Sequence, residues 1–205
     1  SCYNLALYHL KGKLGRVDVS RAASLFHKAC KKRVGAACLN LGVLYAKGKL
    51  GGRNRWTQAA RFLDLACARR QYKACNQLGL WYLNGGKVPV RLTKAVRYFQ
   101  HACAGKVRRA CYNLGVLFEQ GKACRRDPVQ AVKYYGMACA QGMLPGCRAA
   151  GAALIAGKPR QKQFRRAAGY LERACAGGRD PVACLNGGWV YGSGKMGRVH
   201  FPKAA

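Results

Sequence analysis

Cysteine is the residue type in this chain whose number and spacing most suggest chemistry. Twelve are present. One series runs Cys2, Cys38, Cys75, Cys111, Cys147 and Cys184, and a second runs Cys30, Cys67, Cys103, Cys139 and Cys175. Both advance in steps of 36 or 37 residues, and only Cys124 stands outside them. Pairing each second-series cysteine with the next of the first gives Cys30/Cys38, Cys67/Cys75, Cys103/Cys111, Cys139/Cys147 and Cys175/Cys184, with seven residues between them four times and eight once. A short loop between antiparallel helix ends can bring two Cα atoms within the roughly 4.4–6.8 Å that a disulfide needs. Two other states stay open: reduced thiols acting as small core residues, and metal ligands. Metal sites usually show closely spaced cysteines or Cys/His clusters. The chain has no CxxC, and His9, His27, His101 and His200 share no repeat position. Disulfides are therefore the expected state, which implies an oxidising compartment. Cys2 and Cys124 are left unpaired, the latter as a surface or loop thiol.

Other reactive constellations are missing. Serine occurs only at positions 1, 20, 24 and 193, with neither GxSxG nor S-x-x-K around it. Six acidic residues in all, Asp18, Asp64, Glu119, Asp127, Glu172 and Asp180, leave little for acid–base catalysis. A recurring Gly-Lys pair is never followed by Ser or Thr and so is not a phosphate-binding loop. The chain is expected to be no enzyme, with no catalytic residue, cofactor, metal or small-molecule substrate.

Two helices per repeat must position the cysteines. Alanine stands immediately before each second-series cysteine, and again eight residues before it at Ala22, Ala59, Ala95, Ala131 and Ala167. Bulky pairs lie between, such as Leu25-Phe26 and Tyr134-Tyr135. Small and large apolar residues at these offsets make one stripe of a helix, called helix B here. It is expected near residues 18–31, 55–68, 91–104, 128–140 and 164–176. After each first-series cysteine a second pattern follows, with Gly or Ala four residues on and usually an aromatic seven on. This is helix A, expected near 38–47, 75–84, 111–120, 147–156 and 184–192. A mid-helix glycine costs about 1 kcal/mol of propensity, so its recurrence points to tight packing of helix A on its own helix B. Gly-Lys ends each helix A, as glycine often does. The fold class is all-α, a right-handed α/α superhelical solenoid of helix–turn–helix repeats about 36 residues long. Residues 1–205 read as one solenoid of about five and a half repeats without a linker. Cys2 opens a helix A lacking its preceding helix B, and Ala204 falls where a sixth helix B would place its alanine, so the solenoid is expected to be truncated at both ends.

The repeat resembles the Sel-one-like repeat, a relative of the tetratricopeptide repeat. The likeness is best in Cys38-Leu-Asn-Leu-Gly-Val-Leu-Tyr-Ala-Lys-Gly-Lys-Leu50 and in Cys111-Tyr-Asn-Leu-Gly-Val-Leu-Phe-Glu-Gln-Gly-Lys122. Asp127-Pro-Val-Gln-Ala-Val-Lys-Tyr-Tyr135 matches its second helix. The cysteine pairing is similar to that of the cysteine-rich subgroup, typified by Hcp-type bacterial proteins and a mitochondrial oxidase assembly factor. The resemblance implies a scaffold for protein–protein interaction. In one respect the chain departs from the family: the Asp expected before helix B survives as Asp18 and Asp127, while Arg55 and Arg91 replace it elsewhere. The lack of S-x-x-K counts against the β-lactam or cell-wall hydrolase activity proposed for some Hcp-type proteins.

Charge supplies the remaining signal. The chain holds 38 Lys and Arg against 6 Asp and Glu, a formal net charge of +32. Such a chain repels itself unless an anionic partner or counterions screen it. The Gly-Lys lysines Lys13, Lys49, Lys87, Lys122, Lys158 and Lys195 recur once per repeat, on the A-to-B turns. Arg53, Arg55, Arg91, Arg125, Arg126, Arg160, Arg165 and Arg166 flank them. A second basic edge, at the B-to-A turns, carries Lys31, Lys32, Arg33, Arg69, Arg70, Lys106, Arg108 and Arg109. A lysine row can neutralise a phosphate backbone without reading sequence. The first expectation is thus a non-catalytic scaffold bound to RNA or another polyanion in a large complex such as an organellar ribosome. The alternative is a disulfide-stapled assembly factor or accessory subunit of a mitochondrial or periplasmic membrane complex. Partners would be RNA, an acidic protein surface or an anionic membrane surface. The compartment would be the mitochondrial matrix if RNA-bound and the intermembrane space if oxidised, with the periplasm or the cell exterior as alternatives. No stretch approaches the ~18 apolar residues of a transmembrane helix.

Overall fold

A computed structural model describes residues 1–52, 54–122, 125–156, 161–178 and 180–194. Among these residues there are eleven α-helices and no strand. They form two compact units, one of residues 1–107 and one beginning at Arg108. The first unit holds α1 (Cys2–Leu10), α2 (Val19–Lys31), α3 (Gly35–Ala46), α4 (Arg55–Ala68), α5 (Tyr72–Asn84) and α6 (Leu92–Ala104). The second holds α7 (Arg108–Gln120), α8 (Pro128–Ala140), α9 (Leu144–Ile155), α10 (Gln161–Gly178) and α11 (Pro181–Gly192). Odd-numbered helices are the A helices and even-numbered ones the B helices. Within each unit every helix packs on its neighbour in the chain, which makes a helical-repeat solenoid.

The helix stripes read from the sequence are the core. Ala22, Ala59, Ala95, Ala131 and Ala167 are all fully buried, as are Ala37, Ala74, Ala110 and Ala183 just before the helix-A cysteines. The helix-A glycines face the large residue of their own helix B. A Cβ added at Gly42 would lie 2.9 Å from Leu63, at Gly79 2.6 Å from Phe99, at Gly115 2.4 Å from Tyr135 and at Gly151 2.6 Å from Leu171. Glycine permits this close approach, which offsets its poor helix propensity.

Helix B begins and ends within one residue of expectation through α8, while α10 is longer at both ends. The A helices begin three residues earlier than expected, at Gly35, Tyr72, Arg108, Leu144 and Pro181. The B-to-A turn is shorter than the cysteine spacing suggests. In the first repeats it consists of a helix cap, one residue with left-handed backbone and the next N-cap. Arg33, Arg70, Lys106 and Gly142 take the left-handed position, with φ of 63°, 61°, 60° and 77°. The following residues Val34, Gln71, Val107 and Met143 donate their N–H to the carbonyls of Ala29, Ala66, Ala102 and Ala138 at 3.0–3.1 Å. These bonds satisfy carbonyls that the helix end would leave open.

The A-to-B turns use glycine in the left-handed position instead, at Gly12, Gly48, Gly85 and Gly121. The residue that enters helix B then bonds back to helix A. Asp18 N–H donates to the His9 carbonyl, Arg91 to that of Tyr82 and Asp127 to that of Phe118. Asp18 and Asp127 also cap their helices, accepting from Arg21 N–H at 2.8 Å and from Val129 and Gln130 N–H at 3.0 Å. Arg91 occupies the same N-cap without a side-chain bond. Arg55 does not replace the capping Asp: Asn54 is the N-cap and Arg55 the first helical residue, because α4 starts one residue earlier in its repeat than α2, α6 and α8.

Candidate interaction surface

The helix pairs carry the cysteines into contact. The structure joins Cys30 to Cys38, Cys67 to Cys75, Cys139 to Cys147 and Cys175 to Cys184, with Cα–Cα distances of 4.9, 4.9, 4.5 and 4.8 Å. Cys103 and Cys111 are also disulfide-bonded. In each joined pair the first cysteine lies near the end of a helix B and the second in the opening turns of the next helix A. The early start of helix A makes this possible, since it sets the second cysteine beside the first. Cys2 is a free, half-buried thiol; Cys124 lies outside the described residues. No cluster of three His, Cys, Asp or Glu among the described residues could hold a metal ion. No helix among them is long and apolar enough to cross a membrane.

The acids are largely spent on structure. Asp18, Asp127 and Asp180 cap α2, α8 and α11. Asp64 accepts from the Tyr98 hydroxyl and Glu119 from that of Tyr135, each at 2.7 Å. Burial first, and then these bonds, push both phenols well above their ordinary pKa. Asp180 also pairs with Arg148 at 3.3 Å. So few acids so occupied leave the cationic surface largely uncompensated.

The first unit exposes Lys13, Lys49 and Lys87 on its A-to-B turns, with Arg55 and Arg91 beside them at the starts of α4 and α6. The second exposes Lys122, Arg125 and Arg126, with Arg165 and Arg166 on the first turns of α10. Arg53, Lys158, Arg160 and Lys195 lie outside the described residues. Several of these cations rest on aromatic rings. Lys13 Nζ is 5.8 Å from the Tyr8 ring centroid, and Lys87 Nζ lies 5.3 Å from Trp56 and 5.4 Å from Trp81. Arg55 also stands over the Trp56 ring, its guanidinium carbon 4.7 Å from the centroid. Arg126 donates from Nε to the Glu119 carbonyl at 3.1 Å, so it helps close its own turn.

The second basic edge holds a contact that spacing alone does not reveal. Arg69 reaches back one repeat, donating from Nη1 to the Cys30 carbonyl at 2.7 Å and touching Sγ of Cys30 and Cys38. Gln141 Nε2 approaches Cys111 Sγ at 3.5 Å from the corresponding end of its own helix B. Both residues follow a helix-B cysteine by two, and that shared position is the signal that was there to be read.

A family model described as the Sel1 repeat matches residues 1–33, 35–69, 73–106, 108–143 and 146–178. No curated protein matches the chain. Among solved structures, a protective antigen of uropathogenic Escherichia coli strains displaying an SLR fold superposes with a TM-score of 0.77 at 20% identity, over 94% of this chain and 41% of its own. The chain thus spans about two fifths of that antigen. A Sel1 repeat protein from Oxalobacter formigenes superposes with a TM-score of 0.66 at 20% identity, over 98% of this chain and 80% of its own. Helicobacter pylori cysteine rich protein B aligns with a TM-score of 0.49 at 28% identity, over 64% of this chain and 93% of its own.

Proposed function

The chain belongs to the Sel1 repeat family, and from that premise we propose that it is a non-catalytic, disulfide-stapled scaffold that holds an acidic protein partner in an oxidising compartment. The observation that carries this reading is a cationic surface that the chain's six acids leave largely uncompensated, mounted on helix pairs tied by disulfides. Electrostatic complementarity of this kind steers association and selects partners by sign. The disulfides favour the periplasm, the cell exterior or the mitochondrial intermembrane space over a reducing matrix. Assembly factor or accessory subunit of a membrane complex is the role that combines these features.

A second reading has one observation in its favour. Each described A-to-B turn exposes a lysine, although the turn itself needs only its left-handed glycine, and a repeated lysine suits the phosphates of RNA. Two measurements separate the readings. Thiol counting on denatured, unreduced protein gives two free thiols per chain on the scaffold reading, because ten of the twelve cysteines are bonded; twelve would return the chain to a reducing compartment. Titration with an RNA oligonucleotide at several salt concentrations, comparing the wild type with a Lys49→Glu, Lys87→Glu, Lys122→Glu variant, tests the row. An RNA-binding row loses about 0.7 from the salt slope per phosphate contact removed. An unchanged slope, with a weakened complex with a long acidic polypeptide, supports the acidic partner. Absence of binding to either polymer overturns the scaffold's anionic partner.

A further inference from the structure

Two clefts in the first unit occupy equivalent places. One lies between α2 and α4, the other between α4 and α6, and both are walled by consecutive B helices. Counted from the helix-B cysteines Cys30, Cys67 and Cys103, each of the seven lining residues of the second has a counterpart in the lining of the first. Arg61 matches Arg97, and Phe62 matches Tyr98. Three matched positions differ in charge. His27 on the wall of the first cleft is Asp64 in the second, Lys31 is Ala68 and Gln58 is Lys94; Arg69 of the first has Gly105 at its position, outside the lining of the second. The first cleft, about 480 Å³, therefore gathers Lys31, Arg55, Arg61 and Arg69 with no carboxylate among its lining residues. The second, about 310 Å³, has Lys94 and Arg97 facing Asp64, which already accepts from Tyr98.

The first cleft has direction as well as charge. Arg55, Gln58, Phe62, Leu65 and Arg69 follow one another along α4 at steps of three and four residues, so they share one face. At 1.5 Å per residue this stripe is about 21 Å long. Cations stand at both of its ends, and Phe62 and Leu65 lie in the middle. The stripe is also preorganised. Arg69 is held by the Cys30 carbonyl at 2.7 Å. Phe62 is stacked on Tyr45 at 5.6 Å and met edge-on by His27 at 6.0 Å. A binding wall fixed in advance loses less entropy on association.

We propose that the cleft between α2 and α4 binds an extended segment of a partner protein, about six residues long, with carboxylates at both ends of an apolar middle. This rests on the acidic partner proposed above and gives it a seat. At about 3.3 Å per residue six residues match the length of the stripe. The end arginines suit carboxylates because their planar forks bond both oxygens. A nucleic-acid strand fits less well, since it carries a charge at every nucleotide and would set phosphates against Phe62 and Leu65. A small free anion cannot reach both ends.

The test uses the whole chain, oxidised, and a fluorescent peptide of two glutamates, a leucine, a phenylalanine and two more glutamates. Arg61→Glu reverses a charge in the first cleft, and His27→Asp installs the residue of the second. Arg97→Glu makes the same charge change at the matched position one repeat on, and all three side chains are exposed. The expected result is a loss of about tenfold in affinity for Arg61→Glu, the scale of one lost charge pair, a severalfold loss for His27→Asp, and less than twofold for Arg97→Glu. Equal losses for Arg61→Glu and Arg97→Glu would overturn the site, because attraction would then be to the surface at large. A uridine hexanucleotide that displaces the peptide at lower concentration, and is itself weakened by Arg61→Glu, would assign the cleft to nucleic acid instead. Peptide binding indifferent to all three variants would remove the cleft while leaving the acidic partner in place. Failure of the wild type to bind the peptide, with retained binding of a long acidic polypeptide, would do the same.

Discussion

Arg69 Nη1 lies 2.7 Å from the carbonyl oxygen of Cys30, 39 residues earlier in the chain, and thereby ties the end of one helix B to the disulfide turn before it. The carbonyl belongs to the last turn of α2 and also accepts the Arg33 N–H at 3.0 Å, so the guanidinium is a second donor to it. Replacing Arg69 by Met keeps most of the side chain's carbon and removes the donor. The expected loss is about 1–2 kcal/mol, the scale of a charge-assisted bond in a partly exposed place. It should appear as a lower urea midpoint with an unchanged slope. An unchanged midpoint would mean that water replaces the guanidinium at no cost.

The helix-A glycines divide into two classes that a single substitution distinguishes. Gly115→Ala places a methyl 2.4 Å from the Tyr135 ring, and Gly79→Ala places one 2.6 Å from Phe99. Each should destabilise by about 1–3 kcal/mol through overpacking, despite alanine's better helix propensity. Gly188 holds the same repeat position in α11, but among the described residues a methyl there meets nothing within 4 Å. Gly188→Ala should therefore stabilise, by up to about 1 kcal/mol. Denaturant midpoints of the three variants decide it, and a loss at Gly188 would contradict the open space beside it.

Restoring the family's acidic cap should help α6. Arg91 already has the backbone bond to the Tyr82 carbonyl that Asp18 and Asp127 make to theirs. It lacks only the side-chain acceptor for the first-turn N–H groups. Arg91→Asp should raise stability by about 0.5–2 kcal/mol from capping, with a further gain from the helix dipole at low salt. Thermal unfolding at two salt concentrations checks both parts. A variant no more stable than the wild type at either salt would show that the cap geometry is not reached.

Alkaline pH should weaken the fold through two phenols. Tyr98 and Tyr135 hold their protons in the folded chain well above the ordinary tyrosine value, by burial first and then by donation to Asp64 and Glu119. Unfolded tyrosines ionise at about pH 10. Below that value the two groups add no pH dependence. As pH rises beyond it the unfolded state releases protons that the folded state keeps, so stability falls. Phenolate absorbance after a rapid pH jump should show late-titrating phenols, one lost in Tyr98→Phe and one in Tyr135→Phe. A titration curve unchanged by either variant would show that these hydroxyls ionise with the rest.

The repeat length, the all-helical class, the ends of most B helices and the cysteine partners were legible in the chain, because each depends on a period set within one helix pair. Ala22, Ala59, Ala95, Ala131 and Ala167 had to share an environment once they shared a phase, and all are buried. Gly42 and its equivalents announced a close approach for the same reason. The early starts of the A helices were hidden, because Arg33, Arg70 and Lys106 adopt the left-handed conformation without the glycine that usually signals it. Arg69 was legible as one more basic turn residue, and its grip on Cys30 was not. The cleft between α2 and α4 was further out of reach. Its walls come from residues 27–31 and 45–69 and meet only after the pairs have stacked, so only the tertiary structure could place four cations around Phe62 and leave the carboxylate to the next cleft along.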